Sequence, residues 1–153
     1  MNSRPTPIWL IRLLVGWVFF VEGVLKFLKP EDLGVGRFAT IGIPAPQYTA
    51  PFVGVLEMVC GLFVVAGLFT RLAAIPLLID ISVAILSTKI PIWLGRGYWH
   101  FTLPKLKQYG FFSMLHEART DISMLLGLIF LLLAGSGALS LDAIRSRREF
   151  TSS

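Results

Sequence analysis

Apolar residues gather into four long runs, separated by stretches rich in glycine, proline and charge. The runs cover about 8–28, 50–69, 72–90 and 121–139. A helix that crosses a bilayer needs roughly 17–25 mostly apolar residues, and each run qualifies. None shows the polar stripe that a helix on the surface of a soluble bundle requires. The pattern predicts an all-α, integral membrane four-helix bundle in a single domain. The first run has a basic start like a secretory signal. It is longer than a signal core of roughly 7–15 residues and has no small-x-small site before Lys26–Asp32, so it is expected to be a retained helix.

The connections differ in kind. Only Thr70-Arg71 separates the second and third runs, which predicts a tight antiparallel hairpin with Arg71 at the membrane face. Leu28–Thr49 holds Pro30, Gly34, Gly36, Pro44 and Pro46 around the apolar patch Phe38–Ile43. It is too short and broken to span, and predicts an interfacial or partly re-entrant segment between helices one and two. Lys89–Asp121 interleaves Trp93, Tyr98, Trp99, Phe101, Tyr109, Phe111 and Phe112 with Arg96, Lys105 and Lys107. Aromatic rings beside cations suit the headgroup zone. Residues 141–153 form a basic tail with Arg145, Arg147 and Arg148.

Composition agrees with a bilayer setting. Hydrophobic residues make up 55% and charged residues 15%, against about 45–50% and 25% in soluble domains. Mean hydropathy is +0.74. The net charge of +5 sits between the runs and at the ends, which fits anionic headgroups and membrane orientation rather than a nucleic-acid partner. The single cysteine, Cys60, rules out an internal disulfide, a cysteine-based zinc site and a CxxC redox pair. With His100 and His116 outside the runs, no metal or haem site is expected. Four crossings place both termini on one side. That side would hold Arg4, Arg12, Arg71, Arg145, Arg147 and Arg148, against Lys29, Arg37, Lys89, Arg96, Lys105, Lys107 and Arg119 on the other. Six against seven does not decide orientation; the compact tail and Arg71 favour cytoplasmic termini.

The chemistry resides in charges inside the runs, each costing at least about 2.5–3.5 kcal/mol near a helix centre. Glu22 and Lys26 share a helical face in the favourable acid-before-base order. They either form a local ion pair or line a polar pocket. Glu57 lies between Gly54 and Gly61 on one face, where small residues admit a close neighbouring helix. Its carboxyl could carry a proton or donate a hydrogen bond, or simply pair with Arg12 or Lys26. Asp80 follows Pro76 by one turn, with Ala73, Ala84 and Ser87 on its side, which suggests an inward polar notch. His116, Glu117 and Asp121 cluster at the start of the last run. Thr120 or Asp121 is a plausible N-cap there, and the group also suits the mouth of a proton path. A polar pocket among helices one to three, centred on Glu57 and closed by helix four, is the resulting expectation.

Several motifs occur in a telling order: Gly36-Arg37-Phe38-Ala39, Gly42-Ile43-Pro44-Ala45-Pro46, Gly54-Val55-Leu56-Glu57 with Gly61, and Gly67-Leu68-Phe69-Thr70-Arg71-Leu72-Ala73-Ala74. With Glu22 and Lys26 upstream and Glu117–Asp121 downstream, residues 9–142 resemble the DoxX family of bacterial four-helix membrane proteins. The resemblance implies a multi-pass protein of the bacterial inner membrane. For some members it implies a subunit of thiosulfate:quinone oxidoreductase or quinol oxidase, for another a scaffold joining soluble redox proteins. The chain has no dithiol and no dinucleotide fingerprint, so it is expected to hold no cofactor of its own except a quinone, bound by Glu22, Lys26, Glu57 and Asp80. The alternatives are a non-catalytic scaffold and a small proton-coupled transporter or lipid-handling protein. Expected partners are the lipid bilayer and other membrane or soluble redox subunits; a homo-oligomer stays open.

Overall fold

The computed structural model describes residues 7–151; Arg4, the side chain of Arg148 and the last two serines lie outside the described residues. Every regular element among the described residues is helical, with a single isolated bridge between Tyr98 and Phe101 and no strand. The helices are α1 (Ile8–Leu28), α2 (Val35–Ile41), α3 (Pro46–Ala66), α4 (Thr70–Ala84), α5 (Ile90–Leu94), α6 (Phe111–Ala134) and α7 (Leu141–Thr151). A π-helical turn, Ile85–Lys89, joins α4 to α5. Three stretches are long and apolar enough to cross a membrane: Ile8–Leu28, Pro46–Ala66 and Thr70–Leu94. The long helix α6 keeps Glu117, Arg119 and Asp121 within its N-terminal half.

The long helices pack in the cyclic order α1, α3, α4, α6 and back to α1. Glycines set the closest of these contacts. Gly16 and Gly23 of α1 lie two turns apart, as do Gly54 and Gly61 of α3, and antiparallel packing brings each pair together. A Cβ on Gly16 would lie 2.5 Å from the Gly61 carbonyl oxygen, and one on Gly23 2.5 Å from that of Gly54. Backbone therefore meets backbone along the seam, as small residues permit in membranes. Val15, Phe19, Val64, Leu77, Ile81, Met124, Leu128 and Leu131 fill the space inside the ring.

Proline dictates the break after α4. Pro91 has no N–H, and in a regular helix its ring would clash with the carbonyl of Ser87. The chain widens by one residue instead, so that the Ile90 amide donates to the Ile85 carbonyl, five residues back. In that register the Leu86 carbonyl would need the missing N–H of Pro91. The Tyr98 hydroxyl donates to it at 2.7 Å. Tyr98→Phe is accordingly expected to cost about 1 kcal/mol through the orphaned carbonyl, seen as a lower thermal midpoint in detergent with unchanged helical content. An unchanged midpoint would show that the bond is dispensable.

The last run folds differently from its hydrophobic pattern. The helix begins at Phe111, so Thr120 and Asp121 lie in its third turn and do not cap it; the N-cap is Gly110. It also stops at Ala134, because Gly135 and Gly137 take positive φ. Residues 135–140 turn back and are held by Arg12, which is 5% exposed. Its Nη1 donates to the Ser136 carbonyl at 2.7 Å and its Nη2 to that of Leu139 at 2.6 Å. Asp142 then accepts from the amides of Phe69 and Thr70, capping α4 from 72 residues away. This end of the molecule is thus tied shut. Arg12 serves here and not at Glu57.

Between α1 and α3 the expected short helix is α2, with Phe38 and Ile41 buried against its neighbours. The 95–110 loop lies over it. Thr102 bonds the carbonyls of Thr40 and Ile41, and Gly42, at φ +86°, leaves room for the His100 carbonyl.

Candidate functional site

Glu57 and Asp80 occupy matching depths on the two arms of the α3–α4 hairpin. Glu57 lies nine residues before the end of α3 and Asp80 ten after the start of α4, so both are about 14–15 Å from the turn at 1.5 Å per residue. That is half of a roughly 30 Å hydrocarbon core. Asp80 lines the same cavity wall as Glu57.

Lys26 supplies the countercharge. Its Nζ lies 2.6 Å from Glu57 Oε2, with both side chains largely buried. With Gly23 facing Gly54, Lys26 and Glu57 are about 9 Å apart along the helix axes. The gap closes because each Cα–Cβ bond tilts toward its own helix N-terminus. In antiparallel helices those tilts point the two side chains at each other. Lys26 thus pairs across the seam and not with Glu22 on its own helix. Glu22 remains close enough to act electrostatically on Asp80.

A cavity of about 530 Å³ opens beside these groups. The structure brings Glu22, Lys26, Glu57, Asp80, Glu117 and Asp121 to its wall. His116 is not among them; it is exposed, and its carbonyl accepts from the Arg119 guanidinium. Helix α6 does more than close the pocket, since Glu117, Thr120 and Asp121 line it. Asp121 pairs with Lys89 at 3.1 Å.

Lys89 and its neighbours Ser87 and Thr88 are the residues that the hydrophobic pattern did not single out as a group. All three belong to the π-turn, are buried, and line the cavity. A signal was present: three consecutive polar residues end an apolar run just ahead of Pro91, and π-turns of this kind are frequent at functional sites. A second hollow, about 700 Å³, adjoins the first and is bordered by Asp32, Arg37 and Lys105. Arg37, Lys89 and Glu117 belong to both walls.

An all-helical membrane protein with glycine-packed helices beside a cavity lined by charged groups is what these features define. The chain belongs to the DoxX family, whose model matches residues 8–90. It is 51% identical to the uncharacterized membrane protein Rv3486 of Mycobacterium tuberculosis, over 94% of this chain and 84% of that one. It is 28% identical to CatD of Bacillus subtilis, provisionally named an oxidoreductase, over 87% of this chain and 82% of that one. It is also 27% identical to the inner membrane protein YphA of Escherichia coli, over 92% and 91%. No solved structure gives a significant match.

Proposed function

We propose that the protein is the membrane subunit of a quinone-linked oxidoreductase and that the cavity beside Glu57 receives the quinone headgroup. We also read α6 as a fourth crossing, which makes a four-helix bundle in the bacterial inner membrane with both termini cytoplasmic and α2 at the interface. One observation carries the functional reading. Ionisable and hydroxyl groups from α1, α3, α4, α6 and the π-turn converge on one largely apolar cavity. Its volume falls within the ~300–1,000 Å³ typical of small-molecule sites. The oxidoreductase name of CatD supports the same class.

The residues fit a quinone. The Lys26 ammonium, which has N–H bonds besides the one given to Glu57, is a donor suited to a ring oxygen, and Val18, Phe19 and Ile81 supply apolar wall. A bound quinone supplies a two-electron, two-proton couple; the electrons come from a partner subunit. Glu57 and Asp80, on the wall of the cavity, are the carboxylates that would pass protons to the ring. Glu117, in the wall shared with the second hollow, and the Asp121–Lys89 pair connect those carboxylates to water.

The test is direct binding. Protein in lipid nanodiscs is expected to bind one short-chain quinone per chain. Asp80→Asn keeps the size of the side chain and removes neither partner of the Lys26–Glu57 and Lys89–Asp121 pairs, so it should fold normally. It is expected to weaken binding about tenfold, the worth of one good polar contact. No detectable binding by the wild type, or equal binding by a folded Asp80→Asn protein, would overturn the proposal.

A further inference from the structure

The outward faces of α3 and α4 carry apolar stripes. On α3 the stripe is Phe52, Val55, Val59 and Leu62; on α4 it is Leu72, Ile75, Ile79 and Val83, continued by Leu86 of the π-turn, all exposed. Such stripes meet lipid in a membrane. Two members also line the inner cavity: Phe52, 67% exposed, and Val83, 43% exposed. They stand at one level, 14 residues from the end of α3 and 13 from the start of α4, or about 20–21 Å from the turn. That depth lies inside a hydrocarbon core roughly 30 Å thick. The cavity therefore reaches the apolar outer surface between the two hairpin arms.

The cause lies in how the arms diverge. The two arms pack on each other, but α3 also packs on α1 and α2, whereas the π-turn and α5 that continue α4 pack against α6. The wedge left between them has an apolar rim. The opposite seam, between α1 and α6, carries exposed polar lining residues instead, Glu22 and Thr120.

We propose that this wedge is a lateral portal, and that the ligand is a long-tailed amphiphile that enters from the bilayer. Its headgroup rests near Glu57 and Asp80 while its tail passes between Phe52 and Val83 into lipid. The proposal deepens the quinone reading by naming the tail as a recognised part of the ligand, and it can be tested without any quinone.

In a Cys60→Ser background, Ala84→Cys places a thiol on the cavity wall next to the rim. Two maleimides are compared in nanodiscs, one carrying a long alkyl chain and one a sulfonate. The alkyl reagent is expected to label the thiol. Adding Val83→Trp, which fills the rim, should slow it at least fivefold while changing the sulfonated reagent little. Phe52→Ala, which opens the rim, should speed the alkyl reagent and keeps the test alive if the tryptophan variant misfolds. A Val83→Trp protein that labels at an unchanged rate, or that slows both reagents equally, overturns the portal. So does a Phe52→Ala protein whose alkyl labelling does not accelerate. If the portal behaves as expected while the wild type binds no short-chain quinone, the portal stands and the quinone reading falls.

Discussion

Gly16→Leu should abolish accumulation of folded protein. The new Cβ alone would lie 2.5 Å from the Gly61 carbonyl oxygen, 2.6 Å from a Val65 methyl and 2.9 Å from the Val65 amide. Overpacking costs about 1–3 kcal/mol when neighbours can shift, and occasionally more. Here two of the three neighbours are main-chain atoms, and the α1–α3 contact is the most extensive in the molecule. Relieving the clash would separate the helices along the seam and break the register that brings Lys26 to Glu57. The loss should therefore exceed that range. Folded yield after detergent extraction, measured by size-exclusion chromatography, provides the readout. Leu13→Ala, on the exposed face of α1, serves as a control expected to stay within about 0.5 kcal/mol of the parent. Equal yields for the two variants would refute the seam as described.

Lys26→Met should cost about 3–5 kcal/mol, the usual penalty when one partner of a buried ion pair is removed. Glu57 is 4% exposed, and α3 offers it no other cation. The penalty arises from the charge left behind, so a second change should repair it. Lys26→Met combined with Glu57→Gln is expected to recover most of the stability, because an amide leaves no buried charge behind. Unfolding midpoints of the parent, both single variants and the double variant form the required cycle. Strict additivity would show that Lys26 and Glu57 do not interact.

Much of this arrangement was legible in the residues. The heptad-spaced pairs Gly16/Gly23 and Gly54/Gly61 announce a close antiparallel seam. The turn between α3 and α4 falls at Gly67-Leu68-Phe69 and not at the expected Thr70-Arg71, which open α4; Glu57 and Asp80 are about equally far from that turn. The bounds of α6 were harder to see, for a physical reason. Its first ten residues are a mixed polar and aromatic segment whose helicity depends on packing α5 and presenting Glu117 and Asp121 to the cavity. The expected run continued through Leu139, but the helix stops at Ala134, where Gly135 and Gly137 take positive φ and Arg12 holds the Ser136 and Leu139 carbonyls; hydropathy cannot report a tertiary hydrogen bond. The π-turn was hidden similarly: Pro91 predicts a disturbance, but only the position of Tyr98 shows how it is resolved. The pairing of Lys26 with Glu57 instead of Glu22 follows from side-chain tilt between antiparallel helices, which spacing within one helix does not contain.

The clamp on Arg12 also sets an order in time. Its acceptors, the carbonyls of Ser136 and Leu139, lie 124 and 127 residues further along the chain. At a synthesis rate of about 5–20 residues per second, the first helix waits roughly 6–25 s before those acceptors exist. Throughout that interval the guanidinium must stay among the headgroups, with only its aliphatic stem in the hydrocarbon. The first helix to be made therefore settles to its final depth only after the last one has been delivered.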